Sequence, residues 1–535
     1  MTLSILIWLP LAVAVIGALA GARVAPRAAI VGTLAALGIA ISFVVRYKTG
    51  GGLQFVTDRM WISALGIHYK LGLDGLNVVL VLLTTFLFAA AAIGANLRAW
   101  ERSNLFYLHL GLAETAVLGA FCAQDLILFV AFFDLMLIPF YFLTGIWGDG
   151  DRPERVRATT KLVIYTLVGS LLMLAAAVAT GVLASQQHGT DLTFALSDLQ
   201  RLRLSTGSQE WIFLCFAAAF LVKMPAFPLH GWLPDGYRAM PLPALGVFSG
   251  VLSKVAAYGF LRIVLPVFPA ASVHFQTLLL LVALASILYG SAMAFSTTNA
   301  RLVVGFSSVA QMGFITLGIF ALNDAGVQGA LLQMVNHALV TVPLFFIVGL
   351  LAARAGGSED LRDMGGIAFR APVLASIFLI VALATLAMPG SANFAGEFLI
   401  LLGVFRAKIV FAFVAAVGVV LASVYVLRFF IRAMHNRVDP RVDSREVRFG
   451  DLAALAPVLL VILALALYPQ FGLKRSEPAA KASVAAMAAP SVPLASAGSP
   501  AGATRVECAS NVPCHAVPAS SATAPSTATQ GTAQP

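Results

Sequence analysis

Polar residues fall along this chain as short joints between long apolar runs. Runs long enough to cross a bilayer lie at about 3–22, 28–46, 72–97, 105–122, 124–147, 159–184, 210–228, 244–265, 275–295, 301–322, 326–352, 371–403, 409–433 and 451–472. The pattern predicts an all-α polytopic membrane protein of about fourteen transmembrane helices. Gln124 and Asp125 alone separate the fourth from the fifth. Proline interrupts two runs, the seventh at Lys223-Met224-Pro225 and the twelfth at Leu386-Ala387-Met388-Pro389-Gly390. Proline removes a backbone hydrogen bond and breaks the helix, and broken helices are tolerated at membrane depth where they line a hydrated cavity. Five runs fall within 105–265 and five within 275–433, and an odd number means that the second block is inserted upside down. Two inverted five-helix repeats with breaks at matching positions point to a transport site near the midplane. Helices 1–3 then occupy 1–104, and a cytoplasmic loop with the fourteenth helix occupies 434–472.

Composition narrows the class. Of 535 residues, 60% are hydrophobic and 11% charged, whereas a soluble domain carries about 25% charged residues. The net charge of +10 would suit nucleic acid, but the basic residues sit in short loops, where membrane orientation explains them better. Arg23, Arg98, Arg152, Arg354, Arg370 and Arg437 all follow odd-numbered helices, and the even loops are sparser. Both termini are therefore expected on the extracytoplasmic side of the cell inner membrane. The first run follows no basic segment and reads as a retained helix. Residues 473–535 are mostly Ala, Ser, Pro and Thr and are expected to form a disordered extracytoplasmic tail. In that tail Cys508, Cys514 and His515 have the wrong spacing for haem attachment and supply too few ligands for a zinc or iron–sulfur site. A disulfide between the two cysteines is an open alternative. Cys122 and Cys215, inside apolar runs, read as small core residues.

The candidate chemistry is a set of titratable groups at bilayer depth. Lys223 and Lys254 lie in successive apolar runs, and an ammonium there costs roughly 2.5 to 3.5 kcal/mol, so each needs a buried partner or water. Asp134, in LFVAFFDLMLIPFYF, is a lone carboxylate whose obvious partner is Lys223. Such a pair is either a proton-loading switch or a fixed tie between two helices. Lys254 either carries protons or snorkels to an interface. His337 sits in QMVNHALVTVPLF with Gln333, Asn336 and Thr341 at helical spacing, a relay or a satisfied core histidine. Glu397 follows the second break and reads as a relay group. Asp74 and Asp125 fit helix capping. Glu114 is a weaker candidate for burial, and Arg301 is expected at the cytoplasmic interface. His230, Trp232 and Asp235 form either an anchored turn or a point of proton access. There is no Walker A loop, no dinucleotide fingerprint, no cluster-forming cysteine set and no H-E-x-x-H, so this chain alone is expected to bind no ATP, NADH, flavin, haem or metal.

The stretch from 220 to 262, with KMPAFPLHGWLPD and GVLSKVAAYGFLR, resembles the proton-translocating antiporter-like subunits of complex I and the related Mrp cation/proton antiporters. LGLDGLN, FFDLMLIPFYFLTGIWG, GFSSVAQMGFITLGIFALN, GALLQMVNHAL and MPGSANFAGEFLILLG are most similar to its subunit M branch, and the likeness extends to about residue 472. The resemblance implies fourteen helices in two inverted repeats with helices seven and twelve broken. It also implies proton movement coupled to quinone reduction elsewhere in the complex. Partners would be the other membrane subunits, with NADH and quinone handled by partner subunits. It carries the helix-five carboxylate onto Asp134, the helix-seven lysine onto Lys223, the helix-eight lysine onto Lys254, the helix-eleven histidine onto His337 and the helix-twelve carboxylate onto Glu397. Three positions depart from the family pattern. Asp134 replaces a glutamate, so contact with Lys223 requires a water or a helix shift. Gln311 replaces a histidine and cannot hold a charged proton intermediate. Arg301 replaces a lysine. PLPALGVFSG leans towards the Mrp type. The alternatives are a sodium/proton antiporter subunit and a divergent, non-pumping structural paralogue.

Overall fold

The computed structural model describes residues 2–435, 442–443 and 445–488. The chain is mostly helical, and among the described residues twelve helices are long and apolar enough to cross a membrane. We label the helices α1 (Leu3–Ala20), α2 (Ala25–Arg46), α3 (Val78–Ala95), α4 (Ser103–Cys122), α5 (Leu126–Leu135), α6 (Leu137–Trp147), α7 (Arg152–His188) and α8 (Thr206–Lys223). There follow α9 (Leu233–Ala239), α10 (Leu242–Val267), α11 (Gln276–Ser296), α12 (Ala300–Ile319), α13 (Asp324–Arg354), α14 (Pro372–Thr385), α15 (Ala392–Ala407), α16 (Ile409–Met434), α17 (Phe449–Leu467) and α18 (Gln470–Ala488). Only a two-residue joint kept α4 and α5 apart in sequence, and its chemistry explains the boundary. Asp125 Oδ1 accepts the amides of Ile127 and Leu128 at 3.0 and 3.1 Å, capping α5. Asp151 and Glu154 form a capping box at the start of α7.

Two of the fourteen apolar runs are not continuous spans. α8 ends at Lys223, and the chain runs irregularly to α9 at Leu233. The run 371–403 splits into α14 and α15, with Ala387 at φ 53° and Gly390 at φ 91° between them. A left-handed alanine costs roughly 1–2 kcal/mol, so the surrounding fold must hold this break open.

Two expectations need correction. The fold is not purely helical: β1 (Gln54–Ile62) and β2 (Ile67–Leu73) form an antiparallel hairpin, so the third helix starts at Val78 rather than near 72. Nor is the chain disordered from 473, because α18 continues to Ala488 with Ser476, Ala480 and Ser483 buried on one face. Its alanines are strong helix formers, and Glu477 pairs with Lys481 one turn on. Cys508 and Cys514 lie outside the described residues. At the centre, the spanning lengths of α10 and α12 are buried completely, whereas most of α1, α2 and α17 faces outward.

Candidate functional site

Lys254 stands in the middle of α10 between two π-helical turns, Phe248–Leu252 and Phe260–Val264. A π turn releases backbone carbonyls from the regular ladder, and such turns recur at functional sites. The fully buried ammonium uses all three donors: Ser249 O at 2.9 Å, Ser253 Oγ at 3.2 Å and His337 Nδ1 at 2.7 Å. His337, from α13, is buried too. A charged lysine can only donate, so Nδ1 accepts, and the ring proton on Nε2 faces Thr341 Oγ1 at 3.1 Å. Ser249 Oγ meets Ser308 Oγ of α12 at 3.2 Å, extending the polar line.

Glu397 closes the other end. Gln311 Nε2 of α12 donates to its Oε1 at 2.8 Å, Gln333 Nε2 of α13 reaches the same oxygen at 3.3 Å, and Gln333 also donates to Gln311 Oε1 at 2.7 Å. Gln311 therefore binds the carboxylate directly. Asn336, next to His337 on α13, and Asn393, one turn before Glu397 on α15, are both buried. Asn336 Nδ2 donates to Ala392 O at 2.6 Å, while its Oδ1 and both polar atoms of Asn393 have no protein partner.

The expected Asp134–Lys223 ion pair is absent. Lys223 Nζ donates to Phe133 O at 2.5 Å and lies 3.7 Å from the Phe133 ring centroid, a carbonyl and a π face that hold a cation without a counter-charge. Asp134 lies in the last turn of α5, beside Ser170 and within electrostatic reach of Lys223, with its buried Oδ1 unpaired. Asp134 is one methylene shorter than a glutamate would be, and it forms no ion pair with the ammonium. Arg301, expected at an interface, is only 3% exposed. It donates to Glu359 Oε1, Asp149 Oδ2 and the carbonyls of Tyr237, Arg238 and Met240. Asp235 pairs with Lys161, and His230 stacks on Phe227 with Nδ1 unpartnered. Sequence reasoning missed Ser249, Ser308, Asn393 and Phe133 O. Of these, only Asn393, a polar residue within MPGSANFAGE, left a readable signal.

Residues 123–422, which include all five expected site residues, match the family described as NADH:quinone oxidoreductase/Mrp antiporter, transmembrane. The chain belongs to this family. The NADH-quinone oxidoreductase subunit M of Rhodobacter capsulatus is 35% identical over 483 residues, spanning 87% of this chain and 93% of its own. Its counterpart in Escherichia coli K12 is 37% identical over 418 residues, 77% of this chain and 82% of its own. Among solved structures, respiratory complex I from Thermus thermophilus with bound NADH contains a chain that superimposes with a TM-score of 0.83 at 28% identity, covering 91% of this chain and all of that one. A chain of the Mrp complex from Dietzia, at 22% identity and TM-score 0.78, shares the fold. Membership makes the chain a multi-pass membrane protein, as its helices require. The family match begins just after α4, so the buried polar groups of that helix lie outside it.

Proposed function

We propose that this chain is the proton-translocating membrane subunit of an NADH:quinone oxidoreductase in the cell inner membrane, working with the other membrane subunits of that complex. NADH and quinone chemistry belongs to partner subunits, and this chain needs no cofactor. The observation that carries the reading is the 2.7 Å contact between Lys254 and His337 inside a fully buried polar axis that also holds Glu397. Counting the broken α8–α9 and α14–α15 as crossings gives fourteen helices, and the two breaks occupy corresponding places in blocks 105–265 and 275–433, as inverted repeats require. The arginine-rich loops then face the cytoplasm, with both termini opposite.

In this mechanism Lys254 passes a proton along Nζ–H···Nδ1 to His337, which releases one from Nε2. Gln333 and Gln311 order the path but cannot carry charge. Water held by the unpartnered amides of Asn336 and Asn393 links His337 to Glu397. Lys223 alternates between Phe133 O and the Asp134 carboxylate, loading or releasing its proton as the counter-charge approaches or leaves.

The test uses the assembled complex in proteoliposomes, with protons moved and quinone reduced measured together. Lys254→Ala and Lys223→Ala should each abolish this subunit's share of translocation. Wild-type stoichiometry in both variants refutes the reading. Translocation that requires sodium and proceeds without quinone reduction would favour the Mrp-type antiporter, whose fold the chain shares.

A further inference from the structure

Glu114 of α4 is fully buried, and neither of its carboxyl oxygens has a hydrogen-bond partner in the protein. Removing such a group from water without a compensating hydrogen bond is costly even when it is neutral, so a native fold keeps one only for a reason. A structural ion pair is not that reason. The neighbouring α1, α3 and α6 contain no charged residue, the arginines of α2 sit near its ends at Arg27 and Arg46, and Arg262 of α10 is already paired with Asp74.

The position of Glu114 is fixed by its neighbours. Tyr107, Glu114 and Phe121 recur at two-turn spacing and so share one stripe of α4. Phe121 packs edge-on against Tyr258 of α10, with ring centroids 5.3 Å apart, so this stripe faces the helix of Lys254. Phe106 of α4 meets Trp147 of α6 at 5.5 Å, and Phe140, two turns back along the antiparallel α6, meets Phe248 of α10 at 4.8 Å. Glu114 is therefore level with Phe248 and Ser249, the turn to which the Lys254 ammonium reaches back. On the approach from the N-terminal end of α4, Tyr107 Oη and Thr144 Oγ1 are likewise buried without a partner. Water, which both donates and accepts, is able to complete all three groups.

We propose that Glu114 is a proton-binding site of the translocation path, feeding Lys254 through a file of water that passes Tyr107 and Thr144. The proposal rests on the reading of Lys254 as a proton carrier. In the transfer, the Glu114 O–H bond breaks as its proton moves to an intervening water. That water gives one of its own protons to the lone pair of neutral Lys254, and the carboxylate is reprotonated by water from the Tyr107 side.

Glu114→Gln keeps the shape of the side chain and removes the exchangeable proton. In the assembled complex it should slow translocation by about tenfold or more, and Glu114→Asp should restore part of it. Infrared difference spectra of the wild type should show a carboxyl C=O band that shifts in D2O, disappears in Glu114→Gln and changes when Lys254 is replaced by Ala. Wild-type pumping by Glu114→Gln, or a carboxyl band indifferent to Lys254, overturns the proposal. If Glu114→Gln does not assemble, the spectra of the wild type and Lys254→Ala decide alone. Normal pumping by Lys254→Ala would instead remove the function on which the proposal stands.

Discussion

Replacing Arg301 by methionine gives the sharpest test of how the polar axis is held in register. The guanidinium ties three places together: Asp149 in the turn after α6, the carbonyls at the end of α9 just before the Lys254 helix, and Glu359 beyond the His337 helix. Methionine keeps the apolar stem and removes every donor. Breaking a buried ion pair by deleting one partner costs about 3–5 kcal/mol, because the remaining charge is left buried. Here that charge is Glu359, whose side chain is 17% exposed, while Asp149, at 48%, can turn to solvent. The loss should therefore fall at the lower end, about 3 kcal/mol. Arg301→Lys retains a cation with three donors and should lose less than half as much. Thermal unfolding of the purified complex, with limited proteolysis near Asp149, reads the stability. Proton translocation reads the register, because the 2.7 Å Lys254–His337 contact depends on how α10 and α13 are anchored. If Arg301→Met melts within about 1 kcal/mol of wild type and pumps normally, the clasp is dispensable and the reasoning fails.

His337→Leu leaves one donor of a buried ammonium unpaired, a penalty of roughly 1.5–3 kcal/mol, and should reduce translocation about tenfold or more while quinone reduction in uncoupled membranes continues. Gly396→Ala places a methyl hard against Gln333 Oε1, so it should push Gln333 off Glu397. Slowed pumping with normal assembly is expected, and unchanged pumping would show that the glutamine bridge is idle. Outside the membrane, Arg362 holds Asp360 at about 2. A lowered carboxylate stabilises the fold above its ordinary value of 3.8 and loses that contribution as pH falls towards 2. Hydrogen exchange at the Leu361 amide, bonded to Thr298 O, should accelerate over that window in the wild type but not in Asp360→Asn.

Much of this protein was legible in one dimension, and the residues show why. A backbone in lipid must satisfy its own hydrogen bonds, so each crossing is written as a continuous apolar run that any reader can count. A lysine within such a run, or a proline that breaks it, is conspicuous against that background, and Lys223, Lys254 and the two breaks stand out for that reason. α18 resembles a disordered segment in sequence because its small residues bury little surface each, and only packing against the rest of the fold makes that burial worthwhile. The β-hairpin fell between two runs and offered no apolar length to detect.

The sequence by itself determined that the chain is threaded through a membrane, and it marked which side chains carry titratable protons there. Tertiary structure alone decided their partners. It set Lys254 against a histidine 83 positions away, gave Lys223 the Phe133 carbonyl instead of the neighbouring carboxylate, and placed Gln311 directly on Glu397. Hydrophobic length is a local property of the chain, whereas a hydrogen bond between helices depends on packing angles and depths that no single run encodes.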